Sequence, residues 1–436
     1  MNAKECADYK EDVMIITVIG LGYVGLPLAM ALCNAGHIVW GYDTNKEKIN
    51  TLERGESYIE SVHSSTLQRH LKSHNFFLTS HLFKPYDDET RYDSTDIYFI
   101  CVPTPYTASK TPDLSCIISA ANDIKGAMKK GAMVVLQSTS YPGTLMEVVV
   151  PILNGRSHLD YENEDYDVAF LPERIDPGRK IDYVDIPKIV GVNRDREYER
   201  INDLFHGISG QGLYRVSSPA AAEMTKILEN TFRAVNIGLV NEMARLCERM
   251  NLDIWEIIDA AATKPYGFMP FYPGPGVGGH CIPIDPYYLL HKALEHNKHL
   301  RIVEDAMESN ELMPEHVMNI VYKATREKDI PAYIRNTLWI GVTYKPDVED
   351  TRESPYNQMH TRSQIPWKTW DAVLDKDVSI KELLPENDIA VILINHSGVD
   401  YQYIIDNIEL VVDCCGATRG LDEKGKVYLL GRGFGS

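Results

Sequence analysis

The 436-residue sequence has little of three things: paired cysteines, excess positive charge, and long uncharged runs free of glycine and proline. Its eight cysteines contain no CxxC motif, and their spacings do not suggest a set of disulfide bonds. This is typical of reduced thiols in a cytosolic protein. The formal net charge of -18 offers no basic field to attract a nucleic acid or an anionic membrane. We therefore expect neither as a partner. A phosphorylated small molecule stays possible, because a few placed Lys and Arg side chains suffice to hold it.

We also expect no targeting or membrane-spanning segment in this sequence. Residues 1–12 mix acids with lysines and have no apolar signal core. Ile15 to His37 carries no charge, but four glycines and a proline interrupt it, which argues against a membrane helix. His291, His296 and His299 do not share one helical face, so no metal site is expected there. These features predict a cytoplasmic protein without a metal.

Short apolar runs alternate with helix-like patterns through the first half, which indicates a parallel sheet covered by helices. The pattern recurs near the carboxyl terminus, so the predicted fold class is α/β with two Rossmann-like, doubly wound domains. The predicted strands are Val13–Ile19, His37–Tyr42, Ile97–Val102, Met133–Ser138, Val168–Phe170, Thr337–Val342, Ile389–Ile394 and Leu410–Val412.

A long helix from Pro219 to about Met250 separates the two α/β regions, since this stretch holds one glycine and no further proline. About 30 helical residues span roughly 45 Å, more than one small domain flanks. We expect this helix to join the domains and to form a homodimer contact. The predicted domains are 13–215, an α/β domain, 216–312, the central helical region with the cysteine loop, and 313–436, a second α/β domain.

Gly20, Gly22 and Gly25 form a GxGxxG motif directly after the first predicted strand and at the start of a helix. The first glycine allows the tight turn, the second lets the backbone approach a pyrophosphate, and the third lets the helix pack on the strand. Asp43 ends the second predicted strand, 18 residues past Gly25. A carboxylate there binds the ribose hydroxyls and repels a 2′-phosphate, which favours NAD over NADP, and Lys48 offers a further contact.

Cys281 lies in a glycine-rich loop, Gly276 to Asp285, with a carboxylate four residues on. A lone cysteine is usually a buried small hydrophobe. Here three nearby glycines let backbone amides converge, and a thiol is well suited to form a thiohemiacetal with an aldehyde. The spacing alone supports the catalytic and the structural interpretation about equally.

Two further groups of polar residues allow two interpretations each. Lys226 and Asn230 are four residues apart and therefore share one face of the long helix. They are either catalytic groups or part of a solvated polar stripe. Glu173 and Asp176 follow the carboxyl end of a strand, where sites gather in open parallel sheets. Two acids in one loop are equally compatible with a salt-bridged turn.

Taken in order, these motifs resemble the UDP-glucose/GDP-mannose dehydrogenase family over about Ile15 to Pro355, and most of all its branch that oxidises UDP-N-acetylhexosamines such as UDP-N-acetylglucosamine. The motifs that carry the resemblance are Gly20 to Gly25 with Asp43, Cys101 to Pro105, Ser138 to Thr144, Leu171 to Gly178, Glu223 to Lys226 with Asn230, Gly274 to Cys281, Gly341 to Lys345 and Arg352 to Pro355.

The resemblance implies a double oxidation of a UDP-sugar at C6. Asp285, with a water ordered by Thr139, takes the proton of the 6-hydroxyl as the first hydride leaves. Cys281 traps the aldehyde, and a second hydride transfer gives a thioester. Glu173 is the expected base for hydrolysis, and Lys226 and Asn230 stabilise the oxyanions.

The resemblance also implies binding residues. It assigns cofactor contacts to Tyr23, Val24, Thr104, Thr139, Asp176 and Arg352. It assigns contacts with the sugar nucleotide to Glu173, Lys226, Asn230, Lys345 and the backbone of Phe271 to Gly278, Gly274 included. The implied partner is the UDP-sugar substrate.

The sequence departs from the family pattern in three respects, the third of them in the carboxyl-terminal domain. Gln137 stands where relatives commonly carry Lys or Glu. Ile284 replaces a Lys of the UDP-glucose branch and, with His280, favours an acetamido sugar. The stretch Tyr356–Ser379 shows no clear period, and Asp413 is followed by Cys414 and Cys415 instead of Thr-Arg, so one βα unit of the shortened second domain is expected to be missing or remodelled.

Two rival functions remain at this point. A single oxidation, as in β-hydroxyacid dehydrogenases that share the glycine motif and long helix, needs no nucleophile and leaves Cys281 unexplained. A nucleotide-sugar-binding protein without turnover would follow from the altered second domain. UDP-glucose and UDP-N-acetylmannosamine are the alternative substrates within the family.

Overall fold

The computed structural model describes residues 13–81, 95–107, 109–155, 159–174, 185–330, 336–362 and 367–435. The chain forms two compact units, Met1–Leu228 and Glu229–Ser436. The boundary falls inside the long helix, so each unit is described by itself.

The first unit is built on an eight-stranded sheet with the order β3-β2-β1-β4-β5-β6-β7-β8. All neighbours are parallel except β6 and β7. The strand order reverses direction at β1, which creates the topological switch point at which open α/β sheets bind ligands. The strands are β1 Ile15–Ile19, β2 Ile38–Tyr42, β3 Phe76–Thr79, β4 Ile97–Ile100, β5 Met133–Leu136, β6 Asp167–Phe170, β7 Lys188–Gly191 and β8 Leu213–Val216.

Helices of the first unit follow the strands, as right-handed crossover connections require. Their bounds are α1 Gly25–Asn34, α2 Lys46–Glu53, α3 Ser64–Lys72, α4 Ser115–Ala127, α5 Val150–Asn154, preceded by a π-helical turn Leu145–Val149, and α6 Asp195–His206.

The central strands β4 and β5 are buried on both faces, which explains why they are continuous apolar runs. Alternate residues of β4 supply the two cores: Ile97 and Phe99 pack on the face covered by α1, and Tyr98 and Ile100 on the face covered by α4. β4 and β5 end two residues earlier than predicted, at Ile100 and Leu136. The polar residues that follow therefore lie at the carboxyl edge of the sheet.

The predicted long helix is confirmed as α7, Pro219–Met250, which is 32 residues long. It begins in the first unit and continues into the second. The other helices of the second unit are α8 Ile254–Ala262, α9 Asp285–Glu295, α10 Arg301–Glu311, α11 Met313–Glu327, α12 Pro355–Arg362, α13 Ile380–Leu383, followed by a 3-10 turn Leu384–Glu386, and α14 Tyr401–Asn407.

The second unit contains a six-stranded sheet with the order β10-β9-β11-β12-β13-β14, parallel except for the final hairpin. Its core has one cluster facing α11 and a second facing α14. The two α/β sheets confirm the predicted fold class. The strands are β9 Thr337–Ile340, β10 Lys368–Trp370, β11 Ile389–Ile392, β12 Leu410–Asp413, β13 Val427–Leu429 and β14 Gly433–Phe434.

The βα unit expected to be missing or remodelled is shortened but present. α12 has eight residues and β10 has three, and β10 pairs parallel with β9. Two helical turns are too short to establish a 3.6-residue period. Stacking of Trp367 on Trp339, with ring centroids 4.0 Å apart, anchors this short unit to the core. The alternative that this βα unit is missing altogether is therefore wrong.

Among the described helices, none combines the length and hydropathy needed to cross a bilayer.

Candidate functional site

The glycine motif forms a tight turn between β1 and α1. Gly20 has a φ of +91°, and a Cβ there would lie 2.6 Å from the carbonyl oxygen of Cys101. A Cβ on Gly25 would overlap the carbonyl oxygen of Gly20. Gly22 has no atom within 4 Å of its virtual Cβ, so its outer side is open. The turn therefore needs glycine at its ends for packing and is accessible in the middle, as close approach of a pyrophosphate requires.

Asp43 is buried behind this turn. Its carboxylate accepts hydrogen bonds from the amides of Leu21 at 3.0 Å and Asn45 at 2.9 Å, and from Lys48 Nζ at 3.3 Å. Asp43 thus ties the end of β2 to the glycine turn. Tyr23 is 43% exposed, and Val24, the residue before α1, makes no capping hydrogen bond with its side chain. The amides at this helix start suit an anionic group.

Thr104 and Thr139 lie together at the carboxyl edge of the sheet. Thr104 Oγ1 donates to the carbonyl oxygen of Thr139 at 2.7 Å, and Ser138 Oγ donates to that of Val102 at 2.7 Å. The loops that follow β4 and β5 are therefore fixed to each other, next to the switch point. Gln137 is buried below them and accepts from Cys101 Sγ at 3.2 Å.

Glu223 in the first turns of α7 secures the end of the Thr139 loop. Its buried carboxylate accepts from the amides of Gly143 and of Leu145, the latter at 2.9 Å, where the π-helical turn begins. A carboxylate at a helix start is favourable because the amide dipoles point toward it. Lys226 and Asn230, one and two turns further along α7, are both buried rather than solvated.

Glu173 follows β6 and is paired with a residue that the sequence interpretation did not single out. Lys188 Nζ is 3.2 Å from both carboxylate oxygens of Glu173, and the amide of Arg174 donates to Oε1 at 2.7 Å. Lys188 is fully buried, and Glu173 is nearly so. Burial lowers the pKa of the Lys188 ammonium, while the carboxylate of Glu173 acts in the opposite direction. Asp176 lies outside the described residues.

In the second unit, Cys281 and Asp285 lie on one turn. The carbonyl oxygen of Cys281 accepts from the amide of Asp285 at 2.8 Å, and Asp285 is the first residue of α9. Cys281 is half-buried, whereas Cys33, Cys101, Cys247 and Cys414 are buried. Asn230 Nδ2 donates to Asp285 Oδ2 at 2.5 Å. A half-buried thiol, a buried carboxylate and an amide are thereby collected at the start of one helix.

The loop before Cys281 packs against the segment after β9. Gly279 has a φ of +88°, its amide donates to the carbonyl oxygen of Arg352 at 3.0 Å, and a Cβ there would lie 2.7 Å from the Tyr344 ring. A Cβ on Gly278 would lie 2.8 Å from the carbonyl oxygen of Glu353. The conformation of the cysteine loop therefore depends on glycine.

His280, next to Cys281, lies in an environment that disfavours its charged form. Burial lowers the pKa of its imidazole, and the Arg352 guanidinium lowers it further. The Arg352 guanidinium is held by Asp350, with Nη2 at 2.6 Å from Oδ2.

A chain of buried amides fixes the predicted substrate loop. Gly274 donates its amide to Asn241 Oδ1 at 3.0 Å, Asn241 Nδ2 donates to Asn310 Oδ1 at 2.9 Å, and Asn310 Nδ2 donates to the carbonyl oxygen of Ala234 at 3.0 Å. Phe271 packs edge-on against Phe232 of α7 at 6.0 Å. Both ends of the 271–274 segment are thus attached to α7.

Lys345 lies in the loop that Asp371 organises. Asp371 Oδ2 accepts from the amides of Val342 at 2.8 Å and Thr343 at 3.0 Å, and from His396 Nε2 at 3.2 Å. Burial alone would raise the pKa of Asp371, but the hydrogen bonds from His396 and the backbone hold it well below its usual range. The backbone carbonyl of Lys345 accepts from Thr343 Oγ1 at 3.3 Å.

The structure thus brings the predicted residues together in groups within each unit. Gly20, Gly22, Gly25, Asp43 and Lys48 form one group, Thr104 and Thr139 a second, and Asn230, Cys281 and Asp285 a third. Sequence reasoning missed Lys188, Asn241, Asn310 and Asp371. The lysine directly before the apolar run Ile189–Val192 is the local feature that could have drawn attention to Lys188, although it does not identify its partner.

Comparison with known proteins agrees with this arrangement. The model of the UDP-glucose/GDP-mannose dehydrogenase family matches its NAD binding domain to residues 14–209 and its central domain to residues 220–312. UDP-N-acetyl-D-glucosamine 6-dehydrogenase of Salmonella typhi is 36% identical over 346 residues, 78% of each chain. UDP-N-acetyl-D-mannosamine dehydrogenase of Methanococcus vannielii is 31% identical over 401 residues, 89% of this chain and 87% of that one.

Among solved structures, the UDP-D-ManNAc dehydrogenase of Pyrococcus horikoshii is similar with a TM-score of 0.85 and 29% identity, covering 96% of this chain and 100% of that one. The described turn, with its open Gly22 and its buried Asp43, fits NAD. On the two domain matches and the overall similarity, the chain belongs to the UDP-glucose/GDP-mannose dehydrogenase family and is an NAD-dependent oxidoreductase.

Proposed function

We propose that the chain oxidises the 6-hydroxyl of a UDP-N-acetylhexosamine, UDP-N-acetylglucosamine in the first place, to the carboxylate. The observation that carries the proposal is the turn that presents Cys281 and Asp285 together, with the Asp285 carboxylate held by Asn230. A single oxidation of an alcohol needs a base but no nucleophile. A half-buried thiol beside a buried carboxylate suits an oxidation that continues past the aldehyde.

The residues of this turn would act in sequence. NAD, when bound, supplies the hydride acceptor for both oxidations. Asp285 takes the proton of the 6-hydroxyl in the first oxidation. Cys281 Sγ then bonds to the aldehyde carbon, and the resulting thiohemiacetal is oxidised to a thioester. Water adds to the acyl carbon, the carbon–sulfur bond breaks, and the Cys281 thiol is regenerated with the carboxylate product.

Other roles carried over from the family resemblance remain predictions. Glu173 is assigned to the water of hydrolysis, Thr139 to the water beside the 6-hydroxyl, and Lys226 with Asn230 to the oxyanions. The buried state of Glu173, Lys226 and Asn230 supports these roles, because a charge or amide removed from water acts strongly on a nearby oxyanion. Arg352 and Asp176 remain predicted cofactor contacts, and Lys345, Phe271 and Gly278 predicted substrate contacts.

The choice of sugar rests on two features. The curated relatives named above act on UDP-N-acetylglucosamine and UDP-N-acetylmannosamine. Ile284, between Cys281 and Asp285, is a buried apolar residue at a position where the UDP-glucose branch carries lysine. An apolar wall there suits an acetamido sugar better than glucose.

The assay that tests the substrate measures NADH release and uronic acid formation over four UDP-sugars: the N-acetylglucosamine, N-acetylmannosamine, N-acetylgalactosamine and glucose compounds. UDP-N-acetylglucosamine is expected to give the highest kcat/KM. Faster turnover of another sugar would correct the substrate alone. Binding of all four without NADH release would contradict the enzymatic proposal.

We also propose that the protein is a homodimer in the cytoplasm and that the α7 helices of the two copies form the contact. At about 100° per residue, its exposed apolar side chains lie within a sector of about 80°. These residues, 41% to 59% exposed, are Met224, Leu228, Phe232, Leu239, Leu246 and Met250. Sedimentation equilibrium should give a dimer mass for the wild type and a monomer mass for Leu228→Lys with Leu246→Glu. The exposed control Glu256→Lys should stay dimeric, and a monomeric wild type would refute this contact.

A further inference from the structure

Lys188 and Glu173 form a buried ion pair that the assigned roles do not explain. The Nζ atom is 3.2 Å from each carboxylate oxygen, and the two side chains are 0% and 5% exposed. Removing two charges from water costs about as much free energy as their pairing returns. Stability alone is therefore a weak reason for a lysine at this position.

The pairing follows from the topology of the sheet. β6 and β7 are antiparallel, and Phe170 is opposite Gly191. Continuing this register by three residues beyond the end of β6 brings Glu173 opposite Lys188. Directly opposed residues have neighbouring side chains on one face of a sheet. The antiparallel strand β7 therefore places the ammonium group of Lys188 beside the carboxylate of Glu173, which follows β6.

We propose that Lys188 is a positioning residue that keeps Glu173 ionised and oriented as the base for thioester hydrolysis. The inference rests on the proposed function and deepens it. A buried carboxylate without a cation would favour its protonated form, which cannot accept a proton from water. The ammonium and the amide of Arg174 donate to Glu173 from fixed positions, so the carboxylate has one orientation.

The charged and titratable groups around the pair are few among the described residues. Arg174, next in the chain to Glu173, lowers the pKa of Lys188 electrostatically, and the Glu173 charge raises the pKa of the buried Cys101 thiol, which burial already raises. Both effects favour the uncharged thiol form of Cys101. Lys188 is thus a buried cation that neutralises Glu173.

The test separates hydrolysis from oxidation, with UDP-N-acetylglucosamine as the probe. In Lys188→Met, which removes the ammonium group and keeps an unbranched apolar side chain, both oxidations should proceed in a burst of two NADH per active site. Steady-state turnover should fall about 10- to 100-fold, because a positioned base contributes a factor of this order or more. Intact-protein mass spectrometry after acid quench should show an acyl adduct on Cys281, and the acidic limb of the kcat profile should move to higher pH.

Glu173→Gln and the double variant provide the comparison. Glu173→Gln should accumulate the same adduct, and Lys188→Met should add no further loss to it, since Lys188 acts through Glu173. Lys188→Arg, which keeps the charge, should retain the wild-type acidic limb and accumulate no adduct. If Lys188→Met does not fold, Lys188→Arg carries the test, and adduct accumulation in it would overturn the inference.

Two failures are distinguishable. If the wild type releases no NADH and forms no uronate, the proposed function fails. If the wild type and Glu173→Gln behave as expected while Lys188→Met hydrolyses the thioester at the wild-type rate with an unchanged pH profile, only the role of Lys188 is wrong. A loss in the double variant equal to the product of the two single losses would also contradict action through Glu173.

Discussion

Asn230 Nδ2 donates a hydrogen bond to Asp285 Oδ2 at 2.5 Å and so connects α7 with the first turn of α9. Asn230 carries a second amide hydrogen, which remains for the substrate oxygen assigned to it by resemblance. The amide therefore has a positioning role toward Asp285 in addition to the predicted one.

Asn230→Asp should change the pH dependence of the first oxidation. Two carboxylates at this distance share a proton, since both cannot be ionised without strong repulsion. The acidic limb of kcat/KM should move up by about one pH unit or more, as for other paired carboxylates. Steady-state kinetics between pH 5 and 9 measures this. Asn236→Asp, on an exposed part of the same helix, is the control and should leave the profile unchanged.

Gly279→Ala should inactivate the enzyme while the protein stays folded. The added Cβ would meet the Tyr344 ring at 2.7 Å, so the cysteine loop must move. A displacement of about 1 Å near the reacting atoms costs about 100-fold in rate. The measurement is kcat/KM together with the melting temperature. Gly398→Ala has a similar φ of +79° with open space around it, so it should cost about 1 kcal/mol of stability and no activity. Equal activities of the two variants would argue against a fixed cysteine loop.

Asn241→Leu should weaken binding of the sugar nucleotide. The substitution leaves the Gly274 amide and Asn310 Oδ1 without their partner, at a cost of about 1–3 kcal/mol for each buried group. KM for the UDP-sugar should rise about tenfold or more, and the Kd of NAD measured by calorimetry should stay the same. The double variant with Asn310→Leu should be less impaired than the sum of the single effects. Additive losses would show that the amides act independently.

Asp371→Asn should lower the free energy of unfolding of the second unit. The Asp371 carboxylate accepts at least four hydrogen bonds. An asparagine amide would place its NH2 group, which is a donor, against some of these donors, at a cost of about 2–3 kcal/mol. The pKa of Asp371 is lowered on folding, so its contribution is complete above about pH 4 and is lost as the pH falls below that value. Urea unfolding at pH 7 and pH 3 should show a smaller pH dependence in the variant. The same dependence in both proteins would exclude Asp371 as the source.

The sequence predicted those parts of the molecule that depend on neighbours in the chain. The apolar strands, the glycine turn with Asp43, α7 and the Cys281–Asp285 turn each carry their signal within one continuous stretch of the chain, at most the 32 residues of α7. Lys188 was missed because its partner is set by the antiparallel pairing of β7 with β6, which no local pattern encodes. The Asn241–Asn310 chain was missed for a similar reason, because its members are 69 residues apart. The short α12 and β10 were missed because neither is long enough to show a period.

The central claim is that Cys281 extends the oxidation from the aldehyde to the carboxylate, and the ratio of NADH to uronic acid tests it most directly. With UDP-N-acetylglucosamine and excess NAD, the wild type should release two NADH for each uronic acid formed. Cys281→Ser, which lacks the thiol, should form no uronic acid at a comparable rate. One NADH per product, or a serine variant that makes the uronic acid at the wild-type rate, would contradict the account.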